Sequence, residues 1–119
     1  MAIETALIVG VALEHLWFLV LEMFLWKKPL GLRTFRQSAE KAEASAALAA
    51  NQGLYNGFLA AGLLWSLASP PELAISLKLF FLACALVAGV FGAFTVSRRI
   101  LLVQAVPAAV ALLLVLLSR

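Results

Sequence analysis

Aspartate is absent from this 119-residue chain, and all charged residues together make up 13%. A soluble domain carries roughly 25%. The chain therefore has too little charge to cover an ordinary soluble globule. Cysteine occurs once, at Cys84, which excludes an internal disulfide and any multi-cysteine metal site. Histidine also occurs once, at His15. One imidazole beside two carboxylates is a thin ligand set for zinc, so no metal site is expected. No basic residue precedes Glu4, and the apolar stretch behind it runs on to Trp26 without a small-residue cleavage site. Those gaps argue against a cleaved signal peptide. Lipidation motifs, long-period repeats and a soluble segment are likewise missing. The two halves are not similar, so an inverted-repeat transporter is not suggested. Nothing points to a particular cofactor.

What remains is apolar: 65% of the residues are hydrophobic, and the mean hydropathy is +1.06. A soluble domain is about 45–50% apolar. An integral membrane protein is the class that fits, so the net charge of +3 is read by position, as a topology signal rather than as a nucleic-acid surface. Four spans are expected, at about 3–26, 46–67, 73–96 and 100–117, giving an all-α, four-helix transmembrane bundle in a single domain. Pro29 and Gly31 are expected to end the first helix. Ser69, Pro70 and Glu72 read as an N-cap, a first helical residue and a capping box. Pro107 predicts a kink in the fourth span. Lys27, Lys28, Arg33, Arg36, Lys41, Arg98 and Arg99 collect at one set of helix ends. Arg119 lies at the other set, with Lys78 read as snorkelling toward it. The positive-inside rule then puts both termini outside.

The stretch Ala50–Leu64, ANQGLYNGFLAAGLL, organises the rest. Asn51, Gln52, Tyr55 and Asn56 fall within roughly 140° of one helix face at ~100° per residue. Gly53, Gly57 and Ala61 form a small-xxx-small ridge expected on another face, and Gly89 belongs to a similar ridge in the third span. At ~1.5 Å per residue, Glu22 lies about 6 Å inside the first span, and Asn51, Gln52 and Gln104 lie at matching depths in theirs. Glu14 and His15 fall near the midplane. Polar groups thus gather in the cytoplasmic half, while the outer half reads as nearly featureless. His15 and Glu22 are seven residues apart, about 20° off one line, with Glu14 at the margin of that face.

Ionisable groups inside a span are expensive and mark function by default. Glu22, His15 and Glu14 are therefore the acid/base candidates, and Asn51, Gln52, Tyr55, Asn56 and Gln104 the candidates for orienting a ligand. Interhelical hydrogen bonds that fix the bundle are the alternative for the amides. Two functional classes stay open. One is a membrane-embedded enzyme or binding protein for a lipophilic small molecule. The other is a small transporter, channel or accessory subunit in which the same groups line a hydrated path.

The segments ALEHLWFLVLEMFLW (12–26), ANQGLYNGFLAAGL (50–63) and AGVFGAFTVSRRILLVQAVPA (88–108) together resemble the small bacterial membrane-protein family catalogued as domain of unknown function 1304. The resemblance covers nearly the whole chain and implies a compact four-helix protein of the bacterial inner (plasma) membrane, with no activity attached. The layout is also similar to the membrane-associated proteins in eicosanoid and glutathione metabolism. Their arginines at the start of helix two are absent here, where Ala46 and Ala47 stand, and their acidic residue after the Asn is replaced by Gln52 and Asn56. That likeness implies a homo-oligomer, a trimer or dimer, with a site facing the cytoplasmic leaflet.

Overall fold

The computed structural model describes residues 2–119 and is all-α among them. The helices are α1 (Ala2–Met23), α2 (Pro29–Phe35), α3 (Ala39–Leu67), α4 (Pro71–Thr95) and α5 (Arg98–Ser118). Helices α1, α4 and α5 are long and apolar enough to cross a membrane. Helix α3 is not among these three, although it is the longest helix at 29 residues. Its acidic and basic first turns and its Asn51–Asn56 stretch dilute its apolar character.

Several ends differ from expectation for local reasons. Helix α1 stops at Met23, short of Trp26. Pro29 begins a helix instead of merely ending one: it occupies the first turn of α2, where its missing N–H is no loss. Gly31 packs against the Leu25 carbonyl so closely that a Cβ would overlap it. Arg36 closes α2 in the left-handed region, at φ 51°, and its N–H reaches the Arg33 carbonyl. The Ser69 capping box does not form. The residue before α4 is Pro70, with no side-chain cap, and the Ser69 hydroxyl donates backward to the Trp65 carbonyl at 2.7 Å. Ser97 does cap α5, accepting from the Arg99 N–H at 3.2 Å. Pro107 distorts α5 one turn upstream. Leu101–Ala105 is a π-helical turn in which the Val106 N–H reaches the Leu101 carbonyl. Such a turn is a recognised way to absorb a proline's disruption of the ladder.

The described residues divide into two compact units, one of residues 2–14 and 59–119, the other of residues 15–58. In the first unit, α4 and α5 run antiparallel: Gly89 meets Ala105, and Gly92 meets Ile100. Ile8, Val11 and Ala12 of α1 join Ala60 and Leu63 of α3, Leu82 and Ala85 of α4, and Ala108, Ala111 and Val115 of α5 in one buried cluster. Half of that cluster is alanine. Between apolar helices in lipid there is no hydrophobic drive, so close van der Waals approach is what holds them, and small residues permit it. In the second unit, α1 and α3 are antiparallel as well, with Leu19 against Gly57 and Met23 against Gly53.

Candidate functional site: a carboxylate held by two amides

Within the second unit, Glu22 is 4% exposed. Helix α3 brings Gln52 and Asn56 to it. The Gln52 Nε2 donates to Glu22 Oε2 at 2.7 Å, and the Asn56 Nδ2 donates to Oε1 at 2.5 Å. The i, i+4 spacing stacks the two amides one turn apart, so each takes a separate carboxylate oxygen. Neither ion pair among the described residues involves Glu22. Its partners are thus neutral dipoles and not a cation.

The glycines make this approach possible. A Cβ on Gly53 would stand 2.8 Å from Met23 Cγ and 3.1 Å from Glu22 Cβ, and one on Gly57 would stand 2.7 Å from Leu19 Cδ1. The glycine row and the amide row are therefore not the separate faces that the sequence suggested. They are neighbouring rows, ~100° apart, and α1 lies over the groove between them. Ala61, the third member of the expected ridge, is exposed. Gly62 packs instead, against the Phe81 ring.

The other candidates scatter. Asn51 and Tyr55 are exposed, and Tyr55 stacks edge-on with Phe58 at 5.7 Å. Gln104 lies in the first unit, half-buried, and its Nε2 donates to the Ala85 carbonyl at 3.4 Å. Gly89, also there, is buried against the Ala105 backbone. His15 is fully buried, with its ring edge-on to Phe18 at 5.3 Å. Glu14 Oε1 is buried with no hydrogen-bond partner. Cys84 is a half-buried free thiol, and no group of three metal-binding side chains occurs among the described residues.

A clasp at the end of α1 braces the Glu22 site. The Trp26 indole N–H donates to Ser45 Oγ at 3.2 Å, and its ring lies 4.7 Å from that of Phe35, so α2 is tied to α3 through one residue. Ser45 in turn donates to the Lys41 carbonyl, and Lys27 pairs with Glu43 at 3.3 Å on the surface.

The first unit holds a second polar cluster that sequence reasoning missed. Lys78 Nζ donates to Glu4 Oε2 at 2.7 Å, and the Ser118 hydroxyl donates to Glu4 Oε1 at 2.7 Å. Lys78 does not simply snorkel outward, and this end of the helices is not featureless. The available signal was a lone lysine in an apolar run and a lone carboxylate near the start of another.

The family model described as "Protein of unknown function (DUF1304)" matches residues 9–116. The chain is 34% identical over 97 residues to the protein named "Uncharacterized protein YpaA" of Lactococcus lactis subsp. lactis (strain IL1403), covering 79% of this chain and 80% of that protein. No solved structure matches it.

Proposed function

Because the chain belongs to that family of unknown function, we propose its role from the Glu22 site itself: binding a lipophilic small molecule inside the membrane through a cationic or hydrogen-bond-donating group. The observation that carries this reading is a buried carboxylate with two amide partners and no cation. An unpaired carboxylate in a low-dielectric setting is costly, and it is relieved by a proton or by a cationic ligand. With their N–H groups turned to Glu22, Gln52 and Asn56 keep their amide oxygens as further acceptors. His15 and Glu22, both of the second unit, are the acid/base candidates should the ligand be transformed as well as bound.

In this reading α3 is the fourth span of a single-domain, multi-pass inner-membrane bundle with outside termini. Two of its polar side chains bond to Glu22, so α3 carries fewer unsatisfied groups into lipid than its composition suggests. The basic residues at the α1–α3 and α4–α5 junctions support that orientation, and the site then lies in the cytoplasmic half. A homodimer or homotrimer is part of the same proposal. A transporter or accessory subunit is the second reading. It is favoured by Glu14 Oε1, a buried acceptor that water in a path would satisfy.

The deciding experiment is mass spectrometry of small molecules retained by the purified protein and by Glu22→Gln. A lipophilic cation or donor retained only by the parent protein supports binding. Identical retained molecules in both would remove the proposal.

A further inference from the structure

We propose that the first unit contains a second ligand site, for an amphiphile whose head carries a phosphate or carboxylate group, with Lys78 and Arg119 as its anion-recognising side chains. A cavity of about 570 Å³ opens here between the start of α1, the α3–α4 junction and the end of α5. That volume suits a lipid-like head and the first carbons of its chain. Glu4, Lys78, Arg119 and Ser66 supply the polar wall, and Ile75 and Val115 are among the apolar side chains beside them.

The sign of the ligand follows from which hydrogen-bonding capacity is already used. Both oxygens of Glu4 accept from protein donors, one from Lys78 and one from Ser118. Glu4 is 5% exposed and its charge is matched by Lys78, so it has little left to offer a cation. Lys78 has three N–H donors and gives one to Glu4. The Arg119 guanidinium adds a planar fork suited to a phosphate or carboxylate. The lining side chains sum to a net positive charge, and the unused donors are cationic. The Ser66 and Ser69 hydroxyls donate to the Leu63 and Trp65 carbonyls, which leaves their oxygens free to accept from a hydroxyl on the head group. An incoming anion completes the wall. This site shares no residue with the Glu22 site, so either stands without the other.

Binding is tested on the full-length protein in detergent by native mass spectrometry, titrating phosphatidylglycerol, phosphatidylcholine and inorganic phosphate. Phosphatidylglycerol should bind at least tenfold more tightly than phosphatidylcholine. Arg119→Gln should weaken phosphatidylglycerol binding at least threefold. Lys78→Gln alone leaves Glu4 buried without its cation and is a poor test if it fails to fold. The double variant Glu4→Gln, Lys78→Gln removes both charges together and should weaken binding by a similar factor. Competition by millimolar inorganic phosphate would identify a soluble anion as the occupant of the same chemistry. Its failure to compete, with phosphatidylglycerol bound, would identify the amphiphile. Equal binding of the two lipids, or unchanged phosphatidylglycerol binding in both Arg119→Gln and the double variant, would overturn the site.

Discussion

Glu4 and Glu22 lie on the same helix, α1, and are buried alike, at 5% and 4% exposure. Each carboxylate uses both oxygens. Glu4 accepts from an ammonium and a hydroxyl, and Glu22 from two neutral amides. The first arrangement is electrically complete. The second holds a buried carboxyl group with no built-in cation. Burial by itself therefore does not separate a structural carboxylate from a functional one. The identity of the donors does: a built-in cation closes the account, and amides leave it open for something that arrives from outside.

This contrast is most severely tested by removing Lys78. Lys78→Met should destabilise the protein by about 3 kcal/mol, the usual loss when one partner of a buried ion pair is deleted. Restoring neutrality with Glu4→Leu in the same chain should recover most of it. Reversible unfolding in mixed micelles measures both. On that assay Glu22→Gln should cost less than about 1 kcal/mol, because an amide can keep bonds to its neighbours and sheds the charge. A Glu22→Gln loss as large as that of Lys78→Met would mean that the two carboxylates do the same job.

The glycines come next in size. Gly89→Ala drives a Cβ to 2.8 Å from the Ala105 backbone nitrogen, which cannot rotate away, and should cost about 2 kcal/mol. Gly53→Ala meets the flexible Met23 side chain at 2.8 Å and Glu22 Cβ at 3.1 Å, and should cost roughly 1 kcal/mol. It should also disturb ligand retention, since it pushes α3 away from the carboxylate. Gly10→Ala meets nothing within 4 Å and should be neutral or stabilising by up to about 1 kcal/mol. Thermal melts of the three variants check the ranking; Gly10→Ala proving the most harmful would contradict the packing described here.

The amides sharpen the contrast on a finer scale. Gln52→Ala and Asn56→Ala should each cost about 1 kcal/mol, whereas Asn51→Ala and Tyr55→Ala, whose side chains do not bond to Glu22, should change stability little. Equal losses across all four would dissolve the distinction between the two amides that hold Glu22 and the neighbours that do not touch it.

The helical class was legible because long apolar runs broken by Pro29, by Ser69–Pro71 and by Ser97–Arg99 have few other solutions. Matched depth was enough to bring Glu22 to Gln52, and Asn56 joins from one turn further along. It was not enough for Asn51 or Gln104, because depth says nothing of rotation about the helix axis. The glycine row was assigned to a separate face because ~100° on a helical wheel looks like separation, although a neighbouring helix spans both rows. The Glu4–Lys78–Ser118 cluster was missed because its members are 74 and 114 residues apart, and only tertiary packing joins them.

The π turn in α5 has one further consequence. Ile100 and Ala105 both lie against α4, on Gly92 and Gly89 respectively. Five steps along an ordinary α-helix would turn them ~140° apart. Closing the ring from Val106 to Leu101 uses one extra residue and brings both back to the same side. The turn thus acts as a phase adjustment, a single added residue that keeps the contact edge continuous ahead of Pro107. Deleting any one residue of 101–105 should convert the segment to regular α-helix and rotate Ser97–Ile100 by about a quarter turn relative to the rest of α5.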